Sequence, residues 1–487
     1  MRRRRSFSSS VSSLYSDATL ALDFENSFYK KDSFTTANFG LLPSLAVSRA
    51  GGGYAEDTSG NLVWFPSNVA RVTNRGLLIE EARTNLQTRS QEFDHVSWVK
   101  TDVTVTPNNV TAPDGSLTGA LATEGSAGTA LLFSPTITIT SSTQYTESVY
   151  VKRGNTDWIR LRMFSNDGVN GVNAWFNLST GVAGTVTTTG SPTNYAYTIT
   201  PSANGWYRLT ISCILSTSTT ANISLACAPA NGNATRVAGA TYYVWGAQYE
   251  QGTSATSYIP TTSASVTRPR DDVWVTNLPA PPECTFLYEY EKPNVVGDNR
   301  AVATLWDGTS NNRFRTTEFS TGTIEAAAFV SGIGSITNVA QQGTANRRLA
   351  FRGKLNDMRI YLNGIQGGQN TAVGTVPATA NTLTIGTNLL EASPGINSYF
   401  KKVVMYSRAY SDAELYVLTA GIDTSSFSLD FANGVYKNAS GYIRTNGLKA
   451  SDDFTAAAWA KSGGVVFTAD QALAPDGTTT ADLYTAA

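Results

Sequence analysis

Residues Trp158 to Phe164 read W-I-R-L-R-M-F. On an extended chain, Ile159, Leu161 and Met163 fall on one side, and Trp158, Arg160, Arg162 and Phe164 on the other. Side chains alternate across a strand, so this period-two pattern predicts a strand with one buried apolar face. Similar runs surround it: T-I-T-I-T (136–140), Y-T-E-S-V-Y-V-K (145–152), A-W-F-N-L (174–178), W-Y-R-L-T-I-S-C-I-L (206–215), N-I-S-L-A-C (222–227) and Y-Y-V-W-G-A-Q-Y-E (242–250). Turn residues separate them. About eight such strands in one stretch predict a β-sandwich or jelly roll over residues 86–260.

Working outward, residues 283–421 predict a second sandwich. It opens on C-T-F-L-Y-E-Y-E and continues through D-M-R-I-Y-L-N-G, where Asn363-Gly364 supplies the positive-φ pair of a tight hairpin. It closes with V-V-M-Y-S-R-A-Y and a short helix. Ser411 is its N-cap, Glu414 the capping-box partner and Gly421 the stop. Residues 261–282 read as an extended linker ending in L-P-A-P-P. Residues 17–85 read as a separate anchor region, and residues 1–16 as a basic, Ser-rich arm.

The chain also repeats itself. L-A-L-D-F-E-N-S-F-Y-K (20–30) returns as F-S-L-D-F-A-N-G-V-Y-K (427–437), and each copy leads to F-x-x-x-x-W-x-K and A-P-D-G. This predicts a partial copy of the N-terminal module over residues 422–487. A few strands alone are marginally stable and present open edges. The expectation is that residues 427–487 pack against another part of an assembly. The fold class is therefore all-β: tandem jelly-roll or β-sandwich domains, a short capped helix closing the second, and an incomplete C-terminal β-module.

Composition restricts function. Lys and Arg number 36 against 37 Asp and Glu, so the chain lacks the clustered positive charge of a nucleic-acid-binding body. No apolar run is long enough to span a membrane. The N-terminus has charge but no apolar core, unlike a secretory signal. Cys213 and Cys227 fall on apolar strand faces and read as core thiols; a disulfide between them is not fixed by spacing. Cys284 stands alone.

Three sets of residues are candidates for chemistry. The single histidine, His95, lies in a polar turn with no G-x-S-x-G elbow elsewhere, and no E-x-D-x-x-E strand offers a glycosidase pair. The carboxylates of Glu80-Glu81 point apart on a strand, and Glu289 and Glu291 follow an ordinary alternation. No enzyme is expected. Asp23, Glu25 and Glu250 are candidate ligands for structural calcium, an ion that takes six to eight oxygens. Aromatic side chains beside amide and charged groups suit sugar rings. On that ground Trp158, Arg160, Arg162, Trp175, Tyr195, Tyr197 and Trp206 are the ligand-binding candidates; the more ordinary role of such aromatics is to fill a second core or a subunit interface.

Several of these motifs carry a resemblance. G-L-L-I-E-E-A-R-T-N-L (76–86), Y-T-E-S-V-Y-V-K, G-W-Y-R-L, W-G-A-Q-Y-E-Q-G-T-S-A-T-S-Y-I-P-T-T and V-T-R-P-R-D resemble a module of tailed-bacteriophage structural proteins with a carbohydrate-binding-module-like jelly roll. Residues 283–421 resemble a concanavalin A-like (laminin G-like) sandwich. The resemblance implies a virion component assembled in the host cytoplasm, a fibre, spike or decoration. It also implies other virion proteins as partners, a homo-oligomer (a trimer by analogy) and host-surface glycans as ligands. A ligand-free structural decoration and a polysaccharide-degrading virion enzyme are the rival readings.

Overall fold

The computed structural model describes residues 15–126, 131–292, 300–341, 345–387 and 396–420, together with five short strands between 428 and 485. Tyr15–Thr419 form one compact unit, and a second unit contains the five strands. Residues 1–14 of the N-terminal arm, Gly421 and most of the partial repeat lie outside the described residues.

The Tyr15–Thr419 unit holds two antiparallel sandwiches. In the jelly roll, one sheet runs Val103–Val110, Gly119–Glu124, Thr241–Gln251, Gln144–Arg153, Trp206–Ile214, Thr193–Pro201. The facing sheet runs Val99–Thr101, Leu131–Phe133, Thr220–Ala228, Trp158–Ser165, Gly171–Asn177, Val182–Thr189. The predicted alternation is what packs them. Ile159, Leu161 and Met163 meet Val149, Val151, Leu209 and Ile211 in a closed core. Cys213 and Cys227 are free, buried thiols within it.

The second sandwich is larger than residues 283–421. Its Ser398–Tyr406 strand lies between Cys284–Glu291 and Ala18–Asp23, with Leu22 opposite Val403. Gly76–Ile79 also pairs with Ser398–Tyr406. In the facing sheet, Asp272–Val275 is held between Thr382–Ile385 and Leu45–Ser48. Most strands of the anchor region, and Asp272–Val275 of the linker, thus belong to this sandwich rather than to separate pieces. The physical reason is apolar: Leu20, Leu22, Leu77, Ile79, Val273 and Val275 are shielded from water only inside its core. The helix Asp412–Thr419 packs on the same sandwich. Ser411 Oγ accepts from the Glu414 amide at 3.3 Å while the Glu414 carboxylate accepts from the Ser411 amide at 2.7 Å, the capping box read from sequence. Asn363 and Gly364 both take positive φ.

The two copies of the repeated motif form hairpins of one register. Asp23 pairs with Phe28 and Leu22 with Tyr29; Asp430 pairs with Val435 and Leu429 with Tyr436.

A buried ionic junction joins the sandwiches. Asp271 accepts from Arg49 at 2.7 Å and also pairs with Arg71. Glu80 pairs with Arg71 at 2.8 Å and Arg268 at 3.3 Å, and accepts from the Ser257 amide and hydroxyl. Burial pulls the Glu80 carboxyl up, but Arg268 and Arg71 outweigh it and hold it at about 2. Next to it, Glu81 pairs with Arg300 at 2.5 Å and accepts from Asn397. Asn85 accepts from the Tyr249 amide and donates to the Ala247 and Ile259 carbonyls. The I-E-E-A-R-T-N and R-P-R-D motifs therefore meet here, with the S-Y-I-P-T loop tied to the first.

Candidate functional site

The outer face of the Trp158–Ser165 strand is the first candidate. Trp158, Arg160, Arg162 and Phe164 point away from the core because the apolar residues between them point in. The neighbouring strands fix what surrounds them. Trp175 lies opposite Arg160, and Asn173 opposite Arg162, on Gly171–Asn177. Ser224 lies opposite Arg162, and Asn222 opposite Phe164, on Thr220–Ala228. The Arg162 guanidinium stacks over the Phe164 ring at 4.2 Å. Trp175 is buried, and its indole donates to the Asn233 carbonyl at 3.0 Å. That bond pins the loop after Ala228 over the sheet, and the loop carries Arg236.

Polar atoms on this face lack partners. Arg160 Nε, Arg162 Nε, Ser224 Oγ and Asn222 Oδ1 are buried without a hydrogen bond. No carboxylate among the described residues forms an ion pair with Arg160, Arg162 or Arg236. Burial, then Arg236 and Arg162, push Arg160 down to about 10. Glu124 is near: its Oε1 accepts from the Cys227 amide at 2.5 Å and its Oε2 has no partner. Burial raises the Glu124 carboxyl to about 7 against that bond and the pull of Arg236.

A second place is a cleft of about 620 Å³ between the sandwiches. Its floor is the hydroxyl-rich outer face of the other jelly-roll sheet, where Thr198 and Thr210 bond at 2.6 Å and Arg208 donates to Ser148 at 2.8 Å. Its wall is Arg75, which stacks 3.8 Å from the Tyr399 ring centre and pairs with Glu291 at 2.5 Å. Glu56 also lines it, its carboxyl raised by burial against Arg75 and Arg208.

The seven ligand candidates fall in three places. Trp158, Arg160, Arg162 and Trp175 share one face. Tyr195 and Tyr197 lie on Thr193–Pro201 in the opposite sheet: Tyr195 is exposed, and Tyr197 borders the cleft and packs edge-on to Phe176. Trp206 is a core residue, and its reading as a ligand platform is corrected. The hairpin of Gly53–Glu56 and Leu62–Phe65 covers it, so that it packs with Leu62, Tyr150, Trp245 and Tyr258 and donates to the Thr111 carbonyl at 2.9 Å. Sequence reasoning missed Arg236, Asn173 and Ser224. The register of three strands was needed to bring the last two beside Arg162, and Arg236 lies in a loop without periodicity.

The three calcium candidates do not form one cluster. Asp23 and Glu25 belong to the larger sandwich and Glu250 to the jelly roll. Asp23 accepts from Tyr15 and from Asn26, closing a turn; Glu25 pairs with Lys402 at 3.1 Å. Glu250 accepts from Thr256 and Gln248. Among the described residues, no group of three or more His, Cys, Asp or Glu side chains could hold a metal. His95 accepts from the Ser97 amide within its own turn.

No family model and no curated protein matches the chain. Among solved structures, it is similar to a Ruminococcus gnavus sialidase CBM40 module bound to α2,6-sialyllactose, at 13% identity and a TM-score of 0.25, over 28% of this chain and 82% of that one. It is similar to the binding domain of botulinum neurotoxin DC in complex with rat synaptotagmin II, at 10% identity and a TM-score of 0.26, over 35% of this chain and 43% of that one. A leech intramolecular trans-sialidase matches at 15% identity and a TM-score of 0.24, over 28% of this chain and 23% of that one.

Proposed function

We propose that this chain is a non-enzymatic adhesion protein that holds a saccharide against the outer face of the jelly roll around Trp158. One observation carries this reading: a half-buried indole lies on a sheet-fixed surface beside buried polar groups that have no hydrogen-bond partner among the described residues. Buried donors and acceptors without partners are costly, and a sugar's hydroxyls would satisfy them while its C–H face covers the ring. Trp158→Ala should abolish retention on a glycan array or weaken it at least about tenfold, with the fold intact. Equal binding by the variant, or no binding by the parent protein, overturns the reading.

The motif resemblance supports placing the protein on a bacteriophage particle, as a homo-oligomeric fibre, spike or decoration. Density for it in a cryo-EM map of such a particle is the test, and its symmetry would decide the trimer. A second reading attaches to the cleft. Glu56, its carboxyl raised by burial, lines the cleft where Arg75 holds Glu291, and two carboxylates flanking one cleft suit glycoside cleavage. New reducing ends after incubation with host capsule or lipopolysaccharide would favour it over adhesion alone.

A further inference from the structure

The Trp158 face holds an excess of positive charge. Arg160 and Arg162 leave one strand on the same side, and the loop pinned by Trp175 and Asn233 brings in Arg236. Arg236 donates to the Ala234 carbonyl at 3.1 Å, and Arg160 Nε and Arg162 Nε are buried without a hydrogen bond among the described residues. Elsewhere in the unit, arginines such as Arg49, Arg71, Arg300, Arg352 and Arg408 hold carboxylates. Gathering like charges while removing them from water is unfavourable unless a counter-charge arrives. Guanidinium forks match carboxylate and sulfate oxygens in pairs. Among the described residues, Glu124 is the carboxylate whose charge reaches Arg160 and Arg236. Its bond to the Cys227 amide, and burial that keeps it protonated into the neutral range, leave it a poor counter-ion.

We propose that Arg160, Arg162 and Arg236 form an anion-recognising subsite for a sugar bearing a carboxylate or sulfate group, with the sugar ring on Trp158 and its hydroxyls on Asn173 and Ser224. The inference rests on the glycan reading above and adds its ligand class. A single strand of nucleic acid would also bring anions and flat rings. The patch favours a sugar, because it is confined to three arginines on a chain of net charge −1 and lacks the long basic groove that tracks a phosphate backbone.

Calorimetric titration with a galacturonate trimer, a sulfated galactose trimer and a neutral galactose trimer tests the inference. At least one charged trimer should bind about tenfold or more tighter than the neutral one, and the tighter of the two identifies the group. Arg160→Gln and Arg162→Gln should each remove most of that preference. Each should also raise the melting temperature of the free protein, because repulsion is relieved; a purely structural arginine would lower it. Equal affinity for charged and neutral trimers, unchanged binding by both variants, or displacement by a short single-stranded oligonucleotide overturns the inference. If the neutral trimer binds equally and Trp158→Ala abolishes it, only the anion claim fails. If no trimer binds and an array of other glycans retains nothing, the adhesion reading fails with it.

Discussion

Two clusters of arginine in this chain use one chemistry in opposite ways. At the junction, Arg49, Arg71 and Arg268 surround Asp271 and Glu80, and all five are buried. On the Trp158 face, Arg160, Arg162 and Arg236 form no ion pair among the described residues, although the Glu124 charge reaches Arg160 and Arg236. A charge that is buried and answered fixes structure, because removing its partner leaves an ion without solvent. A charge that is gathered and unanswered costs stability and is available to a ligand. Pairing, rather than residue type or burial alone, separates scaffold from site.

The largest test of this contrast breaks the junction. Asp271→Ala leaves Arg49 without its carboxylate and Arg71 with Glu80 alone, and should lower unfolding stability by about 3–5 kcal/mol in urea titrations. A change below about 0.5 kcal/mol, the range of ordinary surface substitutions, would remove the junction's structural role. Next comes the pair of tryptophans. Trp206→Ala empties a packed site and should cost about 3–5 kcal/mol while leaving ligand affinity unchanged in the folded fraction. Trp158→Ala should do the reverse, a large loss of binding at small cost in stability.

The pH dependence sharpens the contrast further, since the two regions slope in opposite directions. Glu80 is held below its unfolded value, so its contribution is present above about 4.5 and is lost as pH falls toward about 2. Glu124 is raised. Between about 4.5 and 7 the unfolded chain has released this proton and the folded one has kept it, so stability falls as pH rises through that window. Glu124→Gln should flatten this fall, by on the order of 1 kcal/mol, in melts taken across it. Glu147 adds to the same slope. It is enclosed among jelly-roll core residues with both carboxylate oxygens unpartnered, and burial raises it well above its ordinary value.

The sequence made the jelly roll legible because period two marks a strand and its buried side without reference to anything distant. It placed Trp158, Arg160 and Arg162 on the outward side for that reason. It could not show what lies over an outward face. Trp158 and Trp206 both begin alternating strands, yet a hairpin from residues 53–65 covers only Trp206. Nor could periodicity tell that L-A-L-D pairs with K-V-V-M at the far end of the chain. Asp23 read as a metal ligand because its turn partner Asn26 and the Tyr15 hydroxyl are contacts that composition does not rank.

That distant pairing has a consequence in time. Thr19 and Ser407 bond across 388 positions, and the strand beside them completes the larger sandwich. At roughly 5–20 residues per second, a ribosome needs some tens of seconds to supply the partner. Throughout that interval Leu20 and Leu22 are without their native cover, while the jelly roll, whose strands lie close together in the chain, is free to close first. Synthesis therefore exposes a sticky N-terminal strand to other nascent copies, and long-range pairing of this kind is slow. The order in which the two sandwiches fold is written into the chain by the position of one late strand.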